Sequence, residues 1–400
     1  MQPATNQAPA DAPPTAEPLR GPYGLTEQQE LLQRSVREFA AREILPTVHD
    51  YDEREEFPRA NVAKMAALDL MGMLVPEAYG GAGAGTLDYV LALEAIAWAC
   101  AAHAVIMSVN NSLVCEPILR FGTEAQRQRY LPALARGEAL GAYCLSEPDA
   151  GSDAANLSTM ARRTADGWVL TGTKSWVTNG GEATLYLVYA VSDPTVPRAK
   201  GITAFLIPAD TPGLRPGKKE KKLGIRASAT TQVFLEECHV PADAVLGAVN
   251  EGFKVAMATL DGGRIGIAAQ ALGIAQRALD EALAYAKQRH AFGRPLADFQ
   301  GLQWRLADMA TRLEAARLLT YRAARLKDAG QPFSKEASMA KLYASETANF
   351  AAWAAVQMFG GYGYVREYPV EKLFRDAKIT EIYEGTSEIQ RLIIARHLLR

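Results

Sequence analysis

The 400-residue chain predicts an α+β protein in which a helical part, a β-domain and a second helical part follow one another. Three observations lead there. A chain of this length exceeds what one ordinary core holds, so about two or three packed domains are expected. Residues from about 25 to 140 and from about 250 onward are rich in Ala and Leu, with apolar residues spaced by three and four, as helices require. Between them lie short runs rich in Val, Ile, Thr, Tyr and Trp, punctuated by Gly, Pro, Asn and Asp, as strands and their turns require.

The elements follow in order. Residues 1–22 scatter Pro3, Pro9, Pro13, Pro14, Pro18 and Pro22 among Ala, Gln and Thr, which predicts a disordered tail. This stretch lacks the apolar core of a signal peptide. It sets Asp11 and Glu17 against Arg20 alone, a poor transit peptide, so a cytoplasmic location is expected. The helical domain spans 23–140. LTEQQELLQRSVREFAAREILP begins at a capping Thr26 and stops at Pro46. VAKMAALDLMGMLVP and LDYVLALEAIAWACAAHAVIMSVNNSLV follow, split by the turn YGGAGAGT. The β-domain spans 141–248, with WVLTGTKSWVTN, ATLYLVYAVS, GITAFLIPA and TQVFLEECHVP as strands. From 249 to 400, helices run from about Phe253 to Arg289, Asp298 to Ala329 and Ser334 to Phe359. Gly360, Gly361 and Gly363 break the pattern, and shorter helices near 370–377 and 387–399 close the chain. Long helices on short loops pack as an antiparallel bundle.

Composition excludes several classes. A formal net charge of −2 argues against nucleic acid as a partner, which calls for a basic excess or stripe. No run of about eighteen apolar residues marks a membrane span. Cys100, Cys115, Cys144 and Cys238 form no C-x-x-C pair and are expected to be reduced thiols. The five histidines show no H-E-x-x-H spacing, so no metal site is expected. Two beginnings of a dinucleotide fingerprint fail, Gly81 and Gly83 at Thr86, and Gly361 and Gly363 at Arg366; neither follows a strand.

Several constellations remain. Gly262, Gly263 and Gly266 crowd one turn of the 253–289 helix. Each costs about 1 kcal/mol relative to Ala, so something approaches that backbone closely; by spacing alone, another helix is the better explanation. Asp261 and Arg264 stand at i and i+3 on one face. YCLSEPDAGSD (143–153) lies where helical sequence turns to strand, and its N–H groups, the Ser146 and Ser152 hydroxyls and Gly151 suit a planar ring or a phosphate, or simply close the β-domain. Trp176 and Thr178 share a strand face and could flank a flat ligand, unless the Trp belongs to the β-core. Arg289 suits a helix C-terminus. In IYEGTSEIQ, Thr386 or Ser387 caps the last helix with Glu388 in its first turn. Glu384 sits just outside, beside Ile382 and Tyr383. A carboxylate in apolar surroundings has a raised pKa and suits proton abstraction, although a Glu at such a place is usually solvated.

Together, LSEPDAGSD, TGTKSWVTNG, LGIRAS, LDGGRIGIAAQALGIAQ, RHAFGRPLADFQ and FGGYGYVREYPVEKLFRDAKITEIYEGTSEIQR strongly resemble the acyl-CoA dehydrogenases, and among them the short-chain, butyryl-CoA type. The resemblance runs from about residue 25 to the C-terminus. It implies an α-domain, a barrel- or sandwich-like β-domain and a C-terminal four-helix bundle, with FAD between the last two. It assigns Tyr143, Cys144, Leu145, Ser146, Gly151, Ser152, Trp176, Val177 and Thr178 to the flavin and its pyrophosphate, with Thr386, Ser387 and Glu388. Arg289, Gln300, Gln357, Met358, Phe359, Gly360 and Gly361 match positions that reach a neighbouring subunit's FAD, which implies a homotetramer, a dimer of dimers. Ser152, Asp261, Gly262, Gly263, Arg264 and Gly385 match acyl-CoA contacts. Glu384 matches the catalytic base; relatives that carry the base on the bundle helix place it where Gly263 stands here. The implied activity is α,β-dehydrogenation of an acyl-CoA, with electrons passed to an electron-transfer flavoprotein. The alternatives are a flavin oxidase or monooxygenase on the same fold, or a non-catalytic acyl-CoA-binding protein.

Overall fold

The computed structural model describes residue 21 and residues 23–399; apart from Gly21, the expected tail lies outside them. The first domain is built from α1 (Glu27–Phe39), α2 (Val48–Arg54), α3 (Arg59–Ala66), α4 (Thr86–Ala99), α5 (Ala101–Ser108), α6 (Glu116–Phe121) and α7 (Glu124–Ala135). Thr26 caps α1 as expected. Its hydroxyl accepts from the Gln29 N–H at 3.2 Å, and the Gln29 side chain accepts from the Thr26 N–H at 3.1 Å. The helix expected to run to Pro46 changes winding at Ala40, through a wider π turn and then a 3₁₀ turn that takes in the proline.

The β-domain holds β1 (Gly141–Cys144), β2 (Met160–Arg163), β3 (Gly167–Thr178), β4 (Leu185–Val191), β5 (Ile202–Pro208), β6 (Leu214–Lys219), β7 (Thr230–Pro241) and β8 (Val245–Leu246). They pair in the order β6-β7-β3-β2-β4-β5-β8, with β1 parallel to β4. This path is open, which corrects the barrel half of the expectation. The two halves of the sheet meet only at Met160–Val191, and bulges between Leu170 and Gly172 and between Lys174 and Val177 bend β3. The halves enclose one core of Ala161, Trp168, Leu170, Tyr186, Val188, Phe205, Val233 and Leu235, a sandwich-like packing. β4 is buried along its whole length. Its period of two sends Tyr186, Val188 and Ala190 into this core, and Leu185, Leu187, Tyr189 and Val191 into the helical one.

The chain continues through α8 (Gly252–Gln288), the small hairpin β9 (His290–Ala291) and β10 (Arg294–Pro295), α9 (Gln300–Asp328), α10 (Ser334–Phe359), α11 (Pro369–Ile379) and α12 (Ser387–Leu398). α8 packs against α4, α9 and α10, and α10 against α11 and α12. Gly273 permits the α4 crossing, because a Cβ there would lie 2.5 Å from the Glu94 carbonyl oxygen and 2.6 Å from the Trp98 nitrogen. Buried Glu94 ties the domains together, accepting from Arg317 at 2.8 Å and from the Tyr321 hydroxyl at 2.9 Å. Among the described residues no helix is long and apolar enough to cross a membrane.

Candidate active site

The site forms where the turn between α11 and α12 meets α8. Thr386 is the N-cap of α12. Before it, Glu384 and Gly385 take φ of 52° and 92°, a left-handed pair that is strained for Glu. The turn is held from two sides. The Gly385 carbonyl accepts from Lys341 Nζ at 2.7 Å and from Gln390 Nε2 at 2.8 Å, and Gln390 Nε2 also donates to the Glu384 carbonyl at 3.2 Å. A Cβ on Gly385 would meet Gln390 Nε2 at 2.7 Å.

This geometry throws the Glu384 side chain against α8. The residue as a whole is half-buried, but its Oε2 is sealed from solvent and has no hydrogen-bond partner. A Cβ added to Gly263 would collide with Oε2, and would stand 2.8 Å from Leu113 Cδ2. Burial pushes the carboxyl up to about 7, with the charges of Lys341 and Arg264 opposing. The solvated alternative for Glu384 is thus corrected: the left-handed turn points the side chain inward.

The glycines of α8 serve different neighbours. At Gly266 the helix-packing explanation holds, since a Cβ would meet Ser108 Oγ and the Tyr89 hydroxyl at 2.8 Å. At Gly262 the neighbours are Glu116 Oε2 at 3.0 Å and Lys327 Nζ at 3.1 Å, themselves an ion pair. At Gly263 the neighbour is the carboxylate. Asp261 and Arg264, placed on one face by their spacing, form an ion pair, and Asp261 also accepts from Ser334 Oγ at 2.9 Å. Arg264 is nearly enclosed, and burial pulls its guanidinium down, against the attraction of Asp261 and Glu384.

The residues expected around a cofactor fall into two sets. The first surrounds the ends of β1 and β3. Tyr143 and Cys144 end β1, and the loop that follows is pinned by a buried pair, Lys174 Nζ to Glu147 Oε1 at 2.7 Å. Glu147 also accepts from the Ser158 N–H at 2.6 Å and the Thr159 N–H at 3.0 Å. The Ser175 N–H donates to the Ser146 carbonyl at 2.9 Å, which brings the loop beside the next residue, Trp176. That indole is not in the β-core. It is 67% exposed, on backbone at φ 60° within the bulge; the core tryptophan is Trp168. Thr178 is half-buried, Ser152 is exposed, and a Cβ on Gly151 would meet nothing within 4 Å. The side chains of Cys144 and Val177 pack into the sheet core and that of Leu145 into the helical core, so only their backbone can face a ligand. Ser387 is buried with its hydroxyl unpartnered, while Glu388 is exposed.

The second set lies apart. Arg289 is the C-cap of α8, its guanidinium 5.4 Å from the Tyr362 ring centre. It lines an open cavity of about 840 Å³ with Tyr285, Met358, Phe359, Gly360 and Gly361. None of the first set lines it. Gln357 and Gln300 are exposed nearby in sequence, at the end of α10 and the start of α9. Lys341, Gln390, Tyr89 and Leu113 were missed from the sequence. Lys341 left one signal, a cation on the Ala337, Ala340 and Ala344 face of an apolar helix.

A helical domain, a sheet domain and a helical bundle, with a sealed carboxylate where the last turn meets the bundle, define the acyl-CoA dehydrogenase class, and the chain belongs to that family. The acyl-CoA dehydrogenase N-terminal, middle and C-terminal domain families match residues 26–138, 142–238 and 250–399. Over 376 residues the chain is 54% identical to the mitochondrial short-chain specific acyl-CoA dehydrogenase of Rattus norvegicus, covering 94% of this chain and 91% of that one. The solved butyryl-CoA dehydrogenase of Megasphaera elsdenii is 45% identical with a TM-score of 0.92, covering 94% and 99%. A chain from a structure described as the electron transferring flavoprotein of Acidaminococcus fermentans is 46% identical with a TM-score of 0.93, covering 94% and 99%.

Proposed function

We propose that this chain oxidises a short-chain acyl-CoA thioester to the trans-2-enoyl-CoA, with FAD as cofactor, Glu384 as the base and an electron-transfer flavoprotein as acceptor. The observation that carries this reading is the enclosed, unpartnered Glu384 carboxylate facing Gly263. An α-C–H is far less acidic than a carboxylic acid, whose reference pKa is about 4.3. A base near 7 narrows that gap and is still half ionised at neutral pH. The missing side chain at Gly263 leaves room for the carboxylate itself against α8. The Glu384 backbone N–H is the chain's own donor to the thioester oxygen as enolate charge develops. One such donor is typically worth about 2.7–4 kcal/mol. Ser152, Asp261, Gly262, Arg264 and Gly385 would hold the thioester.

The residues at β1 and β3 fit a flavin. Trp176 offers an exposed aromatic face, Gly151 leaves its backbone open to close approach, and the buried Ser387 hydroxyl lacks a partner. Tyr143, Cys144, Leu145, Ser146, Val177, Thr178, Thr386 and Glu388 complete that set. When bound, the flavin supplies the acceptor for the hydride leaving the β-carbon. Arg289, Gln300, Gln357, Met358, Phe359, Gly360 and Gly361 would serve the cofactor of a neighbouring subunit, in a homotetramer built as a dimer of dimers; the separate cavity that Arg289, Met358, Phe359, Gly360 and Gly361 line supports this.

The test is anaerobic titration with butyryl-, octanoyl- and branched acyl-CoAs while the flavin absorbance is followed. Bleaching by butyryl-CoA is expected, and Glu384→Gln should keep FAD and bind acyl-CoA without bleaching. Undiminished bleaching in that variant would move the base elsewhere. Rapid aerobic peroxide formation would favour an oxidase.

A further inference from the structure

Lys341 lies in the middle of α10 and is fully enclosed. Its ammonium donates to the Gly385 carbonyl at 2.7 Å. Among the described residues no carboxylate comes within ion-pair distance of it. A buried ammonium without a paired carboxylate is costly, and an apolar side chain would fill an Ala-rich helix face at lower cost. The charge therefore serves something other than packing.

The charged groups around it come from every side of the site: Glu384 and Glu381 from the turn, Arg264 from α8 and Glu388 from α12. Glu381 is already paired with Lys378 at 2.6 Å, and Glu388 is exposed. Glu384, whose Oε2 is sealed from solvent, is the one carboxylate of these that is neither ion-paired nor exposed. Seen from Glu384, Lys341 is the foremost opposing charge, ahead of Arg264; Tyr143, Tyr383 and Tyr89 feel the same carboxylate from β1, the turn and α4. Burial pulls Lys341 down to about 8, against the attraction of Glu384.

We infer that Lys341 is a positioning residue for the dehydrogenation: its ammonium clamps the Gly385 carbonyl, which holds the left-handed Glu384–Gly385 turn, and its charge favours the ionised form of Glu384. This rests on the assignment of Glu384 as base. Clamp and charge act on one group, so one lysine sets both where the carboxylate points and how readily it gives up its proton between turnovers.

The experiment compares Lys341→Gln, which keeps a donor without charge, and Lys341→Met, which keeps neither, each as FAD-loaded enzyme. Two quantities are followed against pH: the single-turnover rate of flavin reduction by butyryl-CoA, and the infrared band of the protonated carboxyl that Glu384→Gln abolishes. Both variants should move the infrared midpoint and the acid limb of the rate upward by on the order of one pH unit. Lys341→Gln should regain most of its rate at high pH, and Lys341→Met should not. An infrared midpoint unmoved in both variants would overturn the inference. A failed base assignment looks different, because Glu384→Gln would then itself be active.

Discussion

Gly263→Ala sets two physical effects against each other at a single atom. The added methyl would occupy the place that Glu384 Oε2 now holds, 3.1 Å from Glu384 Cδ and 2.8 Å from Leu113 Cδ2. Leu113 Cδ2 ends a flexible side chain and can give way. The carboxylate, on a turn clamped by Lys341 and Gln390, must retreat by roughly 1 Å, a misplacement that costs about 10²-fold in rate, or ~2.7 kcal/mol of barrier. The helix meanwhile gains about 1 kcal/mol, because Ala replaces Gly within α8. Gly263→Ala is thus expected to be at least as stable as the parent yet about a hundredfold slower in flavin reduction by butyryl-CoA. Gly273→Ala is the matched control on the same helix. Its Cβ would meet the Glu94 carbonyl and the Trp98 nitrogen of α4, backbone atoms that cannot step aside, so it should lose stability while the folded fraction keeps its rate. Thermal unfolding and anaerobic stopped-flow reduction separate the two. A Gly263→Ala enzyme within about threefold of the parent rate, under 1 kcal/mol of barrier, would refute the placement of Glu384 against α8.

Three further outcomes follow from the same structure. Glu147→Gln leaves Lys174 buried and unpaired, and should cost about 3–5 kcal/mol in urea unfolding. The Lys174 charge and hydrogen bonds hold the Glu147 carboxyl at about 2 against its burial, so its stabilisation is present above the unfolded value near 4.5 and is lost as pH falls through 2. Glu384 carries the opposite sign. Its carboxyl is raised to about 7, so its contribution to stability is fully present below the unfolded value and is lost as pH rises through 7; Glu384→Gln should gain stability over the parent between pH 5 and pH 8, by up to about 3 kcal/mol, read by thermal melts across that range. Thr26→Ala removes the hydroxyl of a capping box and should lower the urea midpoint by the equivalent of about 1 kcal/mol, with an unchanged slope.

The helices of the C-terminal part were legible almost to the residue. α8, α9 and α10 start and end within two residues of where the Ala- and Leu-rich periodicity places them, because helix formation depends on neighbours three and four apart, which the sequence carries locally. The strands β3, β4, β5 and β7 were legible for the same reason at period two. β1, β2 and β6 were not. GAYC, MARR and LRPGKK have no strand pattern of their own, and they are strands because partner strands satisfy their backbone groups. The open sheet depends likewise on bulges and on a single β2–β4 pair, neither of which leaves a trace in composition.

The sequence by itself determined which residues are chemically able to act: a Glu beside a capped helix, a glycine pair on a bundle helix, a tryptophan and hydroxyls at a strand end. Those are matters of residue type and short spacing. Only the tertiary structure decided that Glu384 faces Gly263 rather than water, that Trp176 stands outside the sheet core, and that Lys341 holds the turn from 44 residues away. Burial, electrostatic coupling and the direction of a side chain are set by what packs against it, and those neighbours come from parts of the chain that meet only in the folded protein.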